Sequence, residues 1–507
     1  MGRHSSRSTR TKGAVVVGVV ALALVATSCG ARVPAYLGAG TTGGAAAQAS
    51  ASTTTTTAPG TTAGATTPGA ATALGSGSGS AATGAGATGA ASTKGVTAAA
   101  TPTSSGFNFA PASEAADCAG SAGNTASDAG VTPSQLTFGN VSGLTGPLTG
   151  SFPQGSQGVE ALFSALNAAG GICGRKLALD VEDDQQNASV NASDVADLIP
   201  KVLAFVGSTS DGDNGGVPAM TAAGVPDVGF AINCNRSEEP VYWSPAGGSC
   251  NQPKAGGPYY ISNSIFQLAK SGGYFPTHMA FLSYSIAISA QAAEQFEYVY
   301  QQMGGSVCYT DFAVSPASAS LESDVESMQQ KGCNGVLDTM DVTGNAKMLQ
   351  AMQQQAYTPG YVAATFDAYT PDMIATAGQS AAQGMIVGLP FVPLNESQTM
   401  DQLYQQQLAT YEPGDQPSGF GFLAWQAAQM LVYALIQSGH NPTRASIVKS
   451  FDSLSGWTGG GALGAYTPST RGVYPCDVDV TIKGTGFIRK APSSGLFCGG
   501  QAVQASS

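Results

Sequence analysis

Ser208, Thr209 and Ser210 stand in a row between Gly207 and Asp211, directly after the apolar run Leu203-Ala204-Phe205-Val206. Hydroxyls and unpaired amides where a strand gives way to a helix form a donor set for a carboxylate. A second use of Ser208 or Ser210 is to cap that helix, and the two uses are compatible. Other apolar runs end the same way: Tyr284 closes one, Asp341 follows another, and Asp367 with Tyr369 follows a third. Ala231-Ile232-Asn233 comes after a fourth, and Phe152 lies in the loop after the first. An acid that closure buries needs a cation beside it, so Asp341 and Asp367 are candidates to hold a positive group; as surface turn or cap residues they would hold none. Phe152 is placed either to stack on a solute or to pack the core or rim. All of this is the chemistry of holding a molecule.

The chemistry of transforming one is not visible. A serine hydrolase needs a nucleophile elbow and a histidine base, and no G-x-S-x-G occurs. His278 sits near Pro276 at the entry to a strand, and His440 follows Gly439 at a helix end, where an imidazole commonly meets carbonyls. The acid pairs Asp183-Asp184 and Glu238-Glu239 are adjacent in sequence, so on a strand they point apart and do not flank a scissile bond. No Cys-x-x-Cys pair is present, and no metal or other cofactor is expected. Gly38-Ala-Gly-Thr-Thr-Gly43 spells G-x-G-x-x-G, but no strand precedes it and no helix follows, which makes it a chance match.

The elements that must position these residues alternate between strand-length apolar runs and helical stripes, the texture of βα units on parallel sheets. Leu136 to Gly143 reads as a strand. Val159, Leu162, Phe163 and Leu166 then mark one helix face that stops at Gly170-Gly171. Strands at Leu177 to Glu182, Leu203 to Val206 and Val225 to Phe230 continue the series, with a helix from Ser189 to Pro200. A second series has strands near 279–284, 306–310, 335–340, 361–366 and 385–389, followed by helices near 419–438 and 442–454 and extended chain near 477–483. That is too much ordered chain for one core, so two α/β lobes are expected.

Upstream, Arg3, Arg7, Arg10 and Lys12 precede a short apolar run ending Ala26-Thr-Ser-Cys29, the build of a secretory signal. Small residues next to Cys29 predict acylation at that cysteine, with ordinary signal cleavage beside an incidental Cys as the other reading. From 30 to 116 the chain is mostly Thr, Ala, Gly, Ser and Pro, with Arg32 and Lys94 the only charges before Glu114, and reads as a disordered tether reaching roughly 50 Å. Its composition also suits O-glycosylation. Removing the signal's four cations takes the formal net charge from −12 to −16. Such a surface repels nucleic acid. The apolar segment 422–436 is interrupted by Gln426 and Gln429 and reads as a buried helix. Eight cysteines remain outside the cytoplasm, where disulfides persist. Eight cysteines allow 105 pairings, so sequence alone does not fix the connectivity; short loops suggest Cys234–Cys250, Cys308–Cys333 and Cys476–Cys498, leaving Cys118 for Cys173.

Leu144-Thr-Gly-Pro-Leu-Thr-Gly, then Asn167-Ala-Ala-Gly-Gly-Ile-Cys-Gly-Arg-Lys-Leu-Ala-Leu-Asp-Val-Glu-Asp-Asp-Gln185, resembles the branched-chain-amino-acid type of periplasmic binding protein. Weaker matches follow in order at Ala204 to Gly207, Gly224-Val-Pro226 and Met348 to Pro359, so the resemblance covers about residues 131 to 490. It implies a type I fold, two doubly wound parallel-sheet lobes joined by three crossovers. It also implies a lipid-anchored monomer serving the permease and ATPase of an ABC importer, and no enzymatic activity. The corresponding division is 117–270 and 391–460 for lobe one, 271–390 and 461–507 for lobe two. Family members place Ser/Thr loops where Ser208 to Ser210 stand, an aromatic wall at Tyr284 and an acid for a ligand ammonium near Asp367. They often have a hydroxyl where Ala231 stands. A small polar solute, an amino acid or amide, is the expected cargo. An accessory sensor of the same fold, signalling to a membrane partner, is the alternative.

Overall fold

The computed structural model describes residues 101–103, 106–108, 120–148, 152–396 and 398–505. The signal, Cys29, Cys118 and most of the tether lie outside them. Thr101–Thr103 and Gly106–Asn108, expected within the disordered tether, instead pair as a short antiparallel ribbon.

The first sheet is built from β1 (Gln135–Ser142), β2 (Lys176–Asp183), β3 (Phe205–Val206), β4 (Asp227–Val228) and β5 (Tyr242–Trp243), in the order β2-β1-β3-β4-β5 and all parallel. Its crossover helices include α1 (Gln154–Ala168), α2 (Ala188–Leu198) and α3 (Val217–Ala223). On α1, the stripe Val159, Leu162, Phe163 and Leu166 is buried, as its spacing requires. Gly170 and Gly171 follow at φ of 108° and 82°, a conformation that needs glycine. Strands β3 and β4 are shorter than the apolar runs around them, and β5 was not anticipated.

The second sheet comprises β7 (His278–Tyr284), β8 (Ser306–Val314), β9 (Gly335–Asp338), β10 (Tyr361–Ala364), β11 (Ile386–Leu389), β12 (Val478–Lys483) and β13 (Gly486–Ala491), in the order β8-β7-β9-β10-β11-β12-β13. The first five are parallel, and the last two add antiparallel. Between the two sheets in sequence, β6 (Tyr260–Ser262) pairs with β14 (Ala502–Gln504). Phe366, expected within a strand, instead begins a short 3₁₀ turn over Phe366–Ala368.

After β11 the chain returns to the first sheet through α11 (Thr399–Tyr411) and α12 (Gly419–Ser438), which pack on α1. A Cβ at Gly158 would stand 2.1 Å from the Gly421 carbonyl oxygen, so only glycine admits this approach of the two helix backbones. Helix α12 is long and apolar enough to cross a membrane, yet 94% of its apolar stretch is buried within the fold. It is the core helix of this lobe. After α13 (Arg444–Ser453) the chain crosses again to supply β12. The architecture is therefore mixed α/β with two parallel-sheet lobes joined by three passages of chain, the type I periplasmic binding protein fold.

Three disulfides are present among the described residues: Cys234–Cys250, Cys308–Cys333 and Cys476–Cys498. Cys173 is also disulfide-bonded.

Candidate binding site

A cavity of about 240 Å³ lies between the two sheets. Leu148, Phe152, Asp211, Phe230, Ile232 and Phe420 face it from the first lobe. The second contributes Ile288, Phe296, Thr339, Asp341, Thr365 and Phe366, and the passages add Ser249, Asn251, Ile261, Ser264, Tyr474 and Asp477. Four of its aromatic rings form one cluster: Phe366 lies 4.9 Å from Phe420 and 5.0 Å from Phe230, and Phe152 lies 5.7 Å from Phe420. The lining is mainly apolar, with hydroxyls and four carboxyls but, among the described residues, no Lys, Arg or His.

Local structure explains the wall at Leu148. Thr145 donates its amide and hydroxyl to Asp183, while Leu148 exchanges backbone hydrogen bonds with the Gln186 side chain. The L-T-G-P loop is thus clamped to the end of β2. The wall at Phe230 and Ile232 is held by Arg236, which pairs with Asp227 at 2.8 Å and Asp213 at 3.2 Å in the interior. Asp213 in turn accepts from the amide of Ile232 at 2.8 Å.

The acids are not equivalent. Asp341 caps α8 (Val342–Gln354) by accepting from the Gly344 amide at 2.9 Å, and the same oxygen accepts from the Tyr284 hydroxyl at 2.7 Å. A Cβ on Gly344 would come within 2.5 Å of that hydroxyl, so glycine there admits the contact. Burial, and then the nearby Asp341 carboxylate, push the Tyr284 phenol up. Burial pushes Asp211 up to about 7, helped by Asp213, Asp184 and Asp341. Burial likewise brings Asp367 to about 7, opposed by a hydrogen bond from Thr365 and reinforced by Asp341. Asp477, which accepts from Ser264, reaches about 8 through burial and its neighbour Asp479.

Of the residues singled out by sequence, Phe152, Asp341 and Asp367 line this cavity. The others do not. Ser208 Oγ accepts from the Val141 amide, Thr209 Oγ1 donates to the Phe152 carbonyl at 2.9 Å, and Ser210 Oγ donates to Asp184 at 2.7 Å. All three hydroxyls are buried and engaged within the first lobe. Neither Ser208 nor Ser210 caps a helix, because α3 begins only at Val217, after a run of turns. Only the last residue of that loop, Asp211, reaches the cavity. Its Oδ2 is buried without a hydrogen-bond partner among the described residues.

Ala231 and Asn233 flank the cavity-facing Ile232 instead of facing the cavity themselves. The Ala231 carbonyl accepts from the Ser249 amide, and the Asn233 amide group donates to the Asp211 carbonyl and to Asp213. Tyr284 stands one layer back, behind Asp341. Tyr369 points elsewhere: its hydroxyl accepts from the Leu394 amide, and its ring packs 4.7 Å from Phe487.

One all-parallel and one mixed sheet face each other across this cavity, and the sequence that builds them matches the family model described as periplasmic binding protein over residues 135–476. The chain belongs to the periplasmic binding protein family. Proteins of this family are binding proteins and not enzymes. Comparison with curated protein sequences gives no match.

Among solved structures, a fatty acid ABC transporter substrate-binding protein from Thermomonospora curvata superposes with a TM-score of 0.61 at 15% identity, covering 75% of this chain and 96% of that one. A branched-chain amino acid transporter substrate binding protein from Streptococcus pneumoniae, in complex with isoleucine, gives 0.57 at 14% identity over 70% and 100%. An ABC transporter solute binding protein from R. palustris, in complex with 4-hydroxybenzoate, gives 0.57 at 14% over 72% and 97%. At these identities the likeness establishes the fold of this periplasmic binding protein and leaves its ligand to its own residues.

Several lining residues escaped the sequence reading although a signal for them existed. Thr339, Thr365 and Phe230 each lie two residues before a cavity-facing residue already in view, Asp341, Asp367 and Ile232, the spacing that returns to one face. On α6 (Ala287–Gln302), Ile288, Ser289, Ala292, Gln295 and Phe296 form one helical face toward the cavity. Nothing in the sequence distinguishes that face from a core-packing stripe. The loop 246–251 carries no pattern at all; its cavity position follows from Cys250 and its disulfide to Cys234.

Proposed function

We propose that this protein is an extracytoplasmic solute-binding lipoprotein of an ABC importer, which captures a small, mainly apolar solute between its lobes. Acylation at Cys29 tethers it to the membrane, and residues 30–116 are the spacer. Segments 117–270 and 391–460 act as one lobe and 271–390 and 461–507 as the other, working as a monomer that hands its cargo to a permease energised by an ATPase. One observation carries the reading: the cavity is walled by aromatic and aliphatic residues from both lobes, with polar groups placed among them. Such a lining is the usual make-up of a small-molecule site. It departs from the small polar solute expected from the sequence, because Phe152, Phe230, Phe366 and Phe420 offer a solute apolar surface. The known ligands of structural neighbours, isoleucine and 4-hydroxybenzoate, also have an apolar or aromatic body.

The test is a thermal-shift and calorimetric screen of the purified chain against amino acids, fatty acids, aromatic acids and aliphatic or aromatic amines. Saturable binding confined to compounds with an apolar body supports the reading. Binding only of small, fully polar solutes, or of nothing, contradicts it. Loss of uptake of the identified solute in cells lacking the gene then tests delivery.

A further inference from the structure

We propose that the solute is a cation: an apolar or aromatic body carrying an ammonium group and no carboxylate. This rests on the assignment of the cavity as the capture site and names its ligand class. Asp211 from the first lobe and Asp341 and Asp367 from the second present carboxyls to one cavity that has, among the described residues, no basic side chain in its lining. They are near enough for Asp341 to disfavour ionisation of both Asp211 and Asp367. Asp211 Oδ2 has no hydrogen-bond partner among the described residues of the protein. A buried carboxyl without a partner is an unfavourable arrangement that a ligand donor relieves.

An ammonium placed among these acids supplies that donor and offsets the repulsion between them. The faces of Phe230, Phe366 and Phe420 give the rest of the molecule an apolar seat and the cation an additional attraction. A carboxylate meets the opposite conditions. The Ser208, Thr209 and Ser210 hydroxyls, which would have received it, are engaged with Val141, Phe152 and Asp184. The residue that the same loop turns toward the cavity is itself an acid.

A matched series with one apolar body separates the possibilities: 3-phenylpropylamine, 3-phenylpropan-1-ol, 3-phenylpropanoate and phenylalanine, titrated calorimetrically into the full chain at pH 7.5. The amine is expected to bind at least about tenfold more tightly than the alcohol, a difference typical of one charge-assisted hydrogen bond. The propanoate and phenylalanine are expected to bind more weakly than the amine by a similar factor. Equal or tighter binding of either carboxylate overturns the cation assignment while leaving apolar capture standing. Absence of binding by all four overturns the cation assignment for this body, and absence of binding across the wider screen overturns apolar capture as well. Asp211→Asn is expected to abolish most of the preference for amine over alcohol, and an unchanged preference removes Asp211 from the site. If that variant does not fold, Asp341→Asn provides the same comparison from the opposite lobe.

Discussion

The carboxyl ends of the two sheets use similar residues for different purposes. In the first lobe, β3 is two residues long and makes one registered pair with β1, between Phe205 and Gly139. Side chains take over where its ladder stops. Asn140 donates to the Val206 carbonyl, the Val141 amide donates to Ser208 Oγ, and the Thr209 amide donates to Ser142 Oγ. The hydroxyls thus continue the sheet, because buried backbone groups must find partners. In the second lobe, β9 pairs in register with both β7 and β10 over Gly335 to Asp338, and beyond that ladder Ser289 Oγ bridges the Tyr284 amide and the Thr339 carbonyl. Asp341 and Asp367, beyond β9 and β10, face the cavity, Asp341 while also accepting from the Gly344 amide and the Tyr284 hydroxyl and Asp367 while accepting from Thr365. The side chains that serve the backbone are Ser142 and Ser208 in the first lobe and Ser289 of α6 in the second, which leaves the acids after β9 and β10 turned toward the cavity.

Four perturbations break or sharpen this contrast, taken from the largest expected effect down. The first is pH. Asp211 and Asp367 titrate near 7 and Asp477 near 8 in the folded protein, against 3.8 for an ordinary aspartate. A raised value means that stability is fully present below about pH 4 and lost as pH rises through about 7 to 8. The groups facing them are Asp184, Asp213 and Asp341 for Asp211, Asp341 and Thr365 for Asp367, and Ser264 and Asp479 for Asp477. Denaturation of the ligand-free protein should show a loss of several kcal/mol from this source over that window, since each tenfold change in proton affinity between folded and unfolded chain is worth about 1.4 kcal/mol. Asp211→Asn should flatten the profile, and an unaltered profile would contradict the placement of Asp211.

Second, Phe366→Ala removes the ring that touches both Phe230 and Phe420. Affinity for 3-phenylpropylamine is expected to fall by about 2 kcal/mol or more, the size of an aromatic hot spot, as read by calorimetry. Third, Ser208→Ala with Ser210→Ala should lower unfolding free energy by about 1 to 2 kcal/mol in a urea titration while leaving affinity within about twofold. A large affinity loss with unchanged stability would mean that the hydroxyls serve the ligand after all. Fourth, Gly344→Ala should displace the Tyr284 hydroxyl from Asp341 and reduce stability by about 1 kcal/mol, with a measurable weakening of amine binding.

Much of the fold was legible because hydrophobic spacing and chain geometry leave few alternatives. The α1 stripe, the two strand series and the core helix α12 follow from local pattern, and the three short-range disulfides are the pairs that short loops suggested without fixing. The site was legible only in part. Asp341 and Asp367, picked by type and by position after a strand, face the cavity, and Ser289 serves the backbone near Asp341 in their stead. Ser208 to Ser210 were misjudged because the length of β3 depends on tertiary pairing, and with it the demand for their hydroxyls. Asp211 was passed over as the tail of a hydroxyl motif although it alone in that loop meets the cavity. The α6 face and the loop 246–251 were hidden because a residue turned toward a cavity and one turned toward the core have the same sequence signature.

The most direct test is a crystal structure of the protein with 3-phenylpropylamine bound. The account places its nitrogen within hydrogen-bond distance of Asp211 and of Asp341 or Asp367, and its ring against Phe230, Phe366 and Phe420. A nitrogen bound to Ser208, Thr209 or Ser210, or a probe seated outside the space between the lobes, would contradict it.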